Sequence, residues 1–361
     1  MRLGVVVLVC ACSFEHGTPA TTGDGGMTDG GDAGDGPPLK SSSPRKLVFD
    51  NSASQTDFGG FPVLVALDAS IVDYSMIADP KTDLRFEYAT PGSLFGDNVA
   101  FEVERWNPGG ESIVWIRVPE IKAGTTDTAV LMHYGPTAGG AASATATWAT
   151  WELVNHMATG LTNSAGAYTP TAINVTFAPG QFGEAAVFQD NTDRRITFAN
   201  GGALFDGWSD FHLSFWIYAD YASAADIGGQ PLVMDKGTSV NLGRLYNNAS
   251  SITFQLDQHF SGSNDTFLTT VIQPRTWTNI AIDFDGRINA LVTNGVRGSV
   301  ADLGSTRTLL GSTAQFRLGD NGNAFQGMLD ELRIERRSRT IDFARAQYYA
   351  GARKFVMFTD P

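Results

Sequence analysis

The sequence predicts an all-β protein built from two consecutive β-sandwich domains. Forty glycines and 23 phenylalanines occur beside only 17% charged residues, a composition typical of short strands joined by tight turns. Apolar and polar residues alternate with period 2 in many short segments, and turn signals separate these segments. The 361 residues exceed one ordinary domain, and a hydrophobic content of 42% is enough for two cores.

Residues 1–12 are predicted to be a secretory leader. Arg2 precedes an apolar run that ends at Ala11, which is too short for a bilayer span of about 20 residues. The run closes on a stretch that resembles a bacterial lipobox, and this resemblance implies that Cys12 is acylated and anchors the protein to a membrane. The residue after Cys12 is Ser13. By analogy with the lipoprotein sorting pattern, Asp at this position retains a lipoprotein at the inner membrane, so Ser13 favours the outer membrane. An ordinary leader or a misplaced start codon is the alternative.

Residues 13–44 are predicted to form a disordered Gly/Asp-rich tether, because the segment has almost nothing to bury. Its aspartates match the spacing of no calcium loop. Cys10 and Cys12 are the only cysteines of the chain. The body therefore has neither a disulfide nor a thiolate metal site.

Residues 45–147 are predicted to form the first β-sandwich. Phe61, Val63 and Val65 alternate with smaller residues, and an Asn-Pro-Gly-Gly turn at 107–110 separates two later strands. The segment resembles an uncharacterised family that commonly precedes lectin-like domains in bacterial surface proteins and also occurs in some proton-channel-related proteins. The matching stretches are 62–65, 83–86, 104–106, 113–119 and 132–135. The resemblance implies no particular chemistry.

Residues 148–361 are predicted to form the second domain. Period-2 strands are joined by turns at Asp285-Gly286 and Asn294-Gly295. The segments that carry a family resemblance are 183–188, 211–217, 277–286 and 327–335. They resemble laminin-G-like, concanavalin A-like lectin domains of bacteria, and the resemblance implies a two-sheet jelly roll followed by a short helix. A turn at 162–166 carries Asn163 where the family usually has an acid, which leaves that acid's role in doubt here.

A helix is predicted from Ile341 to Ala350, capped by Ser338 or Thr340 and ended by Gly351. Its apolar face is predicted to lie on the sandwich through Ile341, Ala344 and Tyr348. The apolar stretch 355–358 is predicted to pair as a last strand.

The strand 327–335 carries the candidate site residues. Strict alternation puts Asp330 on the face of Leu332 and Ile334, and puts Glu331, Arg333 and Glu335 on the opposite, surface face. By analogy with the family, Asp330 is a candidate ligand for calcium at the sandwich rim; hydrogen bonding to backbone amides is the structural alternative. Oxygen-rich loops at 190–193 and 320–323 are further candidates for a hard cation, although acidic turn residues are also common for conformational reasons.

Glycoside hydrolysis is the most specific enzymatic alternative. It requires two carboxylates beside the scissile bond, one of them with a raised pKa. Arg333 between Glu331 and Glu335 is expected to depress both pKa values, so we predict no catalysis. The candidate aromatic platforms for a sugar are Trp208, Trp216, Tyr218, Tyr221 and Tyr246. Sequence reasoning does not choose among them, and the ligand-binding residues stay unknown.

A net charge of −13 argues against nucleic acid as a partner. The five histidines show no metal-ligand spacing, and no nucleotide-binding glycine motif follows a strand. The predicted function is non-catalytic binding of polysaccharide or glycoprotein at the cell surface. Two alternatives remain: an enzyme acting on β-glucan, and a structural envelope or adhesion protein without a sugar ligand. Oligomeric state is not predicted.

Overall fold

The computed structural model describes residues 44–88, 96–189, 192–237, 240–262 and 264–359. The predicted leader with Cys12 and almost all of the predicted tether lie outside the described residues. Asp190 and Asn191 of the first oxygen-rich loop also lie outside them. No helix of the described ranges has the length and apolarity needed to cross a membrane.

The described residues of the first part of the chain contain seven strands and two short helices. They are β1 Arg45–Phe49, β2 Phe58–Leu67, α1 Pro80–Asp83, β3 Leu84–Tyr88, β4 Asp97–Asn98, β5 Phe101–Arg105, β6 Ser112–Ile121, β7 Ala129–Tyr134 and α2 Ala144–Thr147.

In the second part, the ranges that the structure describes contain sixteen further strands and one longer helix. They are β8 Leu153–Asn155, β9 Thr169–Ile173, β10 Thr176–Pro179, β11 Glu184–Phe188, β12 Asp193–Ala199, β13 Phe211–Ala219, β14 Leu232–Asp235, β15 Val240–Asn248, β16 Ser251–Phe260, β17 Asn264–Ile272, β18 Trp277–Phe284, β19 Ile288–Thr293, β20 Val296–Asp302, β21 Arg317–Asn321, β22 Gly327–Glu335, α3 Ile341–Gly351 and β23 Val356–Thr359. Short 3₁₀ turns occur at Tyr74–Met76, Gly201–Ala203 and Ala224–Asp226.

The second part folds as a sandwich of two antiparallel sheets. One sheet has the order β10-β11-β22-β13-β18-β19-β20, with β8 paired to β22, and the other has the order β17-β16-β15-β14-β21-β12-β9. Alternate residues of each strand meet between the sheets, so that Phe215 packs edge-on against Phe254 at 5.8 Å. The all-β prediction is confirmed, and so is the period-2 reading of β13, whose Phe211, Leu213 and Ile217 are buried in this core.

The first part also forms two antiparallel sheets. One has the order β23-β1-β7-β3-β4, and the other has the order β2-β6-β5. The apolar faces of β2 and β6 supply much of the core between them, including Val63, Val65 and Ile116, all fully buried. The strand predicted at 355–358 exists as β23, and it pairs antiparallel with β1, the first strand of the described chain.

The predicted hairpin turns have the expected backbone. Asn294 and Gly295 have φ values of 50° and 74°, the left-handed pair that a two-residue type I′ turn between β19 and β20 requires. Gly286 has φ 91° in the connection from β18 to β19. An L side chain rarely adopts such angles, so asparagine and glycine fix both turns locally.

Helix α3 begins and packs as its sequence predicts. The Thr340 hydroxyl accepts a hydrogen bond from the Phe343 backbone N–H at 3.2 Å, which caps the first turn. Ala344 packs in a small cluster with Ala281 and Val292 on the outer face of the eight-stranded sheet. Tyr348 stacks on Trp216 with ring centroids 5.8 Å apart. Gly351 lies inside the last turn of the helix rather than after it.

The described residues between 44 and 359 form one compact unit. A continuous apolar cluster joins β2 and β6 of the first sandwich to the outer face of the eight-stranded sheet and to α3. Phe61, Phe343 and Phe355 meet in this cluster, with centroid separations of 4.9 Å for Phe61–Phe343 and 5.4 Å for Phe61–Phe355. The domain boundary at residue 148 stays a prediction, since the last strand of the chain returns to the first sheet.

Candidate functional site

A β-bulge in β22 overturns the predicted faces of this strand. The register against β13 shifts between Ser214 and Trp216, and Glu331 at the shift has φ 54°. The extra residue moves the alternation by one position, so Asp330 no longer shares a face with Leu332. The residues inside the lectin-like core are Leu329, Leu332 and Ile334, whereas Asp330, Glu331 and Arg333 contact groups outside that core.

The predicted pairing of Arg333 with Glu331 is present, but its predicted surface location is wrong, because these charges are buried between the two sandwiches. Glu331, Arg333 and Glu335 are 1%, 5% and 1% exposed. Arg333 donates to Glu331 Oε2 from Nε at 3.2 Å and from Nη2 at 2.5 Å. Glu335 accepts two hydrogen bonds from Arg339, at 2.6 and 2.7 Å. Burial follows because the first sandwich packs over this face of the sheet.

Two glutamates of β5 complete a buried charge cluster, which we define as Glu102, Glu104, His156, Asp330, Glu331 and Arg333. His156 Nδ1 lies 2.7 Å from Glu331 Oε1 and 3.5 Å from Glu104 Oε2, and His156 Nε2 lies 3.2 Å from Glu102 Oε2. The imidazole therefore bridges the two sandwiches. Sequence reasoning missed Glu102, Glu104 and His156; the only signal was a pair of acids at alternate positions of an otherwise apolar strand.

Two tryptophans enclose the cations of the cluster. The Arg333 guanidinium lies 4.0 Å from the ring centre of Trp115 and 5.1 Å from that of Trp148. The indole N–H groups also donate to the acids, from Trp115 to Glu104 at 2.6 Å and from Trp148 to Glu102 at 2.5 Å. Each ring thus offers its face to a cation and its edge to an anion, which satisfies groups that are costly to bury alone.

The loop at 162–166 supports the same cluster. Ser164 donates to Glu102 Oε1 at 2.6 Å. Asn163 Oδ1 accepts the backbone N–H groups of Val154 and Ala165 at 3.0 and 3.1 Å. The amide at position 163 therefore takes a hydrogen-bonding role in this turn.

Electrostatics divides the four acids of the cluster into two kinds. Burial and the neighbouring Glu331 carboxylate raise the pKa of Glu104 to about 8, and the same two causes raise the pKa of Asp330 well above its usual range. Burial opposes ionisation of Glu331, but His156 and Arg333 outweigh it and lower its pKa to about 2. His156 lowers the pKa of Glu102 against the same opposition.

The histidine completes a neutral balance. Burial disfavours its charged form, yet the glutamates around it raise the pKa of His156 well above its usual range. Two cations, two carboxylates and two protonated acids then sum to zero net charge. A neutral set of groups lowers the free-energy cost of burying so many ionisable side chains together.

A split pair of carboxylate pKa values is also what a glycosidase uses. The side chains of Glu104 and Glu331 are only 5% and 1% exposed, so a sugar ring cannot reach them. Glu104, His156 and Glu331 also present donor atoms within 4.8 Å of one another, a set that could hold a metal ion. Their direct hydrogen bonds and the adjacent Arg333 satisfy them without one. The cluster is therefore a joint between the sandwiches.

The predicted aromatic platforms are mostly structural. Trp208, Trp216 and Tyr221 are 3%, 6% and 3% exposed, so none of them presents a ring to solvent. Tyr218 is half-buried against Trp277 at 5.6 Å, and Tyr246 is half-buried. Loop 320–323 is likewise engaged, since Asp320 pairs with Arg317 at 3.0 Å and Asn323 donates to the Gln230 carbonyl.

The surface instead carries a hollow of about 310 Å³, which we call the outer hollow. Its floor is aliphatic and consists of Ile288, Ala290 and Val292 on the outer face of β19. Its polar rim contains Asp283, Asp285, Arg297, Ser338 and Thr340, contributed by β18, the turn after it, β20 and the approach to α3. An aliphatic floor with a few convergent donors and acceptors is typical of a small-molecule site.

Asp283 holds the segment before α3 at the edge of the outer hollow. It is 8% exposed, and its Oδ1 accepts from the Arg339 backbone N–H at 3.0 Å and from His212 Nδ1 at 2.9 Å. His212 Nε2 in turn contacts Gln347 of α3 at 2.7 Å. Asp283 Oδ2 has no partner among the described residues. One carboxylate oxygen is thus held rigidly, and the other is buried without a hydrogen-bond partner among the described residues.

A second hollow, of about 340 Å³, lies on the outer side of the seven-stranded sheet. Its charged groups already pair with one another or with neighbours, because Arg317 binds Asp235 at 2.6 Å and Arg195 binds Asp193. It offers no aliphatic floor beyond Ala314, and its Gly237 wall continues into residues outside the described ranges. The outer hollow is the stronger candidate.

Comparison with known families identifies the second sandwich. A family model described as the concanavalin A-like lectin/glucanases superfamily matches residues 189–342. The match includes β12 to β22 and every residue of the outer hollow. Residues 189–342 thus form a concanavalin A-like lectin/glucanase domain. The search of curated proteins gave no match.

Solved structures that resemble parts of the chain do so at low identity and with TM-scores below 0.5. The binding domain of Paraclostridial Mosquitocidal Protein 1 is 14% identical with a TM-score of 0.47, covering 56% of this chain and 52% of that one. The Botulinum Neurotoxin serotype G binding domain is 14% identical with a TM-score of 0.45, covering 55% and 50%. Domain 4 of AbnA, a GH43 extracellular arabinanase from Geobacillus stearothermophilus in complex with arabinotriose, is 18% identical with a TM-score of 0.39, covering 51% and 90%. The chain spans about half the length of the first two.

Proposed function

We propose that this protein is a non-catalytic binding protein that recognises polysaccharide or the glycan of a glycoprotein through the outer hollow. One observation carries the proposal: the hollow combines an aliphatic floor with exposed polar groups on its rim, among them Asp285 and Arg297. It does so within a domain of a lectin/glucanase superfamily. The superfamily alone does not decide the function, since it also contains enzymes.

The chemistry of the rim fits a polyhydroxylated ligand. Asp285 accepts hydrogen bonds, Arg297 donates them, and the Ser338 hydroxyl does both. Sugar hydroxyls donate and accept in the same way, and the C–H face of a sugar ring matches the floor at Ala290. Arg297 is exposed and forms no hydrogen bond or ion pair within the described chain, so it is available to a ligand.

The carboxylates considered for catalysis are all engaged. Glu331 is bound by His156 and Arg333, and Glu335 is bound by Arg339. We therefore favour binding over hydrolysis of β-glucan. A structural envelope or adhesion protein is the remaining alternative, and it predicts no saturable sugar binding at all.

The test is binding of the full chain to a glycan array, followed by titration of the best glycan with Arg297→Ala. We expect this variant to raise the dissociation constant roughly tenfold or more, because a hydrogen bond to a charged group contributes about 1.5–3 kcal/mol. Lys354→Ala removes an exposed positive charge away from both hollows and serves as the matched control, with no change expected. Incubation with a β-glucan panel in parallel should release no product.

Two results would contradict the proposal. Binding to no glycan would leave the structural alternative, and steady hydrolysis of any β-glucan would make the protein an enzyme. Equal weakening by Arg297→Ala and Lys354→Ala would move the site away from the outer hollow.

We also propose that the protein is exported and held at the outer membrane by a lipid on Cys12. The support is the lipobox-like stretch before Cys12 and the glycine-rich segment that follows. The Cys12→Ala replacement should move the protein from the membrane fraction to the soluble fraction. Unchanged fractionation would contradict the proposed lipid anchor.

Calcium at Asp330 stays a prediction, and the surroundings fit it poorly. Asp330 is fully buried, and its Oδ2 accepts the Phe182 N–H at 2.9 Å. Oδ1 has no partner in the described chain, but His156 and Arg333 nearby are cations rather than the six to eight oxygens that calcium takes. Repeating the titration with and without calcium decides the matter.

A further inference from the structure

A further hollow, smaller than the two described above, lies beside the outer hollow and is lined by both sandwiches. It has a volume of about 150 Å³, and we call it the junction hollow. The first sandwich contributes Thr56, Asp57 and Gly59, at the start of β2. The second sandwich contributes Ser338, Arg339 and Thr340, and these three residues also line the outer hollow. The two hollows are therefore separated only by this short ridge.

The ridge is rigid. Arg339 donates its backbone N–H to Asp283, its guanidinium binds Glu335, and the same guanidinium lies 4.2 Å from the ring centre of Phe343. The Arg339 side chain is only 8% exposed, so it holds the ridge down rather than projecting from it. Thr340 is fixed as the cap of α3. A ligand that crosses the ridge meets a preorganised surface, so binding costs little entropy for ordering that surface.

The junction hollow offers groups of the kind found in the outer hollow. Asp57 is held by the Ala123 N–H at 2.8 Å and by Lys122 at 3.1 Å, and its side chain remains 49% exposed. Phe58 and Phe343 meet edge-on at 5.8 Å and form an apolar wall. Gly59 is exposed, and a Cβ added there would meet nothing within 4 Å, so its missing side chain helps to keep the hollow open.

From this juxtaposition we propose that the ligand is a saccharide chain of several units that runs from the outer hollow over the ridge into the junction hollow. The first sandwich then supplies part of the binding site. This inference rests on the proposed function, and it adds the class of ligand and a role for the first β domain. Affinity should rise with chain length until both hollows are filled.

The experiment measures binding of the full chain to graded linear oligosaccharides, from one to six units, of neutral hexoses, pentoses and uronic acids. Gly59→Trp fills the junction hollow. Gly228→Trp is the matched control, because Gly228 is also exposed with nothing within 4 Å of an added Cβ, and it lines neither hollow. Melting temperatures of both variants show that each remains folded.

We expect the affinity of the unmodified protein to increase at least tenfold between the shortest and the longest bound oligosaccharide. Gly59→Trp should remove this gain and leave short oligosaccharides unaffected, while Gly228→Trp should change neither. Affinity independent of chain length, or long chains insensitive to Gly59→Trp, would overturn the extended site and leave the outer hollow standing. Binding to no oligosaccharide of any length would overturn the proposed function itself.

Discussion

At the scale of single residues, Glu331 decides how β22 distributes its charges. Its positive φ accompanies one extra residue, so Asp330 leaves the face of Leu332 and lies with Arg333 on the face that the first sandwich covers. Without the bulge, Asp330 would lie among the apolar core residues of the jelly roll, where no partner for its charge is available. The bulge therefore turns an unfavourable alternation into a joint between two domains.

Glu104 makes this joint sensitive to pH. Its pKa is raised from 4.5 to about 8 in the folded chain, so the unfolded chain loses this proton at a lower pH than the folded chain does. The stability linked to Glu104 is complete below pH 4.5 and is lost as the pH rises to about 8. The pKa values of Asp330 and His156 are also raised in the folded chain. Their contributions to folding stability therefore also decrease as the pH rises. Glu331 opposes them only in acid, between pH 4.5 and about 2.

We predict that Glu104→Gln stabilises the protein at pH 8 by roughly 2–4 kcal/mol and leaves its stability at pH 4.5 nearly unchanged. The amide mimics the protonated acid and still accepts the Trp115 N–H. Urea unfolding at a series of pH values measures the effect. Glu120→Gln, at an exposed surface pair with Lys122, is the control and should keep the original pH slope. An unchanged slope in Glu104→Gln would show that Glu104 is ionised throughout.

At the scale of elements, the last turn of α3 packs closely on the outer side of the second sandwich. Phe182 and Trp216 meet edge-on at 5.6 Å beneath Gly351. A Cβ on Gly351 would lie 2.8 Å from Trp216 Cζ2 and 3.0 Å from Phe182 Cζ. Glycine is therefore required here by space, even though it weakens a helix elsewhere.

The helix gives a prediction of opposite sign to the usual propensity rule. Glycine to alanine inside a helix ordinarily stabilises by about 1 kcal/mol, but Gly351→Ala should destabilise the protein by about 1–3 kcal/mol through overpacking. Denaturant unfolding measures the change. Gly228→Ala, where space is open, should lie within about 0.5 kcal/mol of the unmodified protein. A more stable Gly351→Ala would mean that α3 shifts freely on the sheet.

At the scale of the whole molecule, two sandwiches share structure that neither completes alone. Strand β23 crosses from the end of the chain to pair with β1, and one apolar cluster runs from Val63 and Trp115 to Trp216 and Phe343. The buried charge cluster has members on both sides. Separation of the two sandwiches would expose this apolar surface and would leave the buried charges without their partners in the same step.

We therefore predict a single cooperative thermal transition for the described body, with equal calorimetric and van't Hoff enthalpies. Scanning calorimetry at neutral pH measures both. The fluorescence of the buried tryptophans and far-ultraviolet circular dichroism should follow the same curve. Two resolved transitions, or a fluorescence change that precedes the loss of strand signal, would show that the sandwiches unfold independently.

The local patterns of the sequence were enough for the fold class, the alternation of β13, the hairpin at Asn294-Gly295 and the start of α3 at Thr340. Each of these depends on contacts within one element or between chain neighbours, and residue identity expresses such contacts directly. The predicted leader and the anchor at Cys12 are also local patterns, and they stay predictions.

Only the tertiary structure decided where the charges of β22 lie and where a ligand fits. A bulge leaves no pattern in a sequence, and it reverses the face of every later residue in its strand. The partners of His156 come from β5 and from β22, and the walls of the outer hollow come from segments about 40 residues apart or more. Contacts of that range depend on how the sheets stack, so the joint and the binding surface became visible only once both sandwiches were folded together.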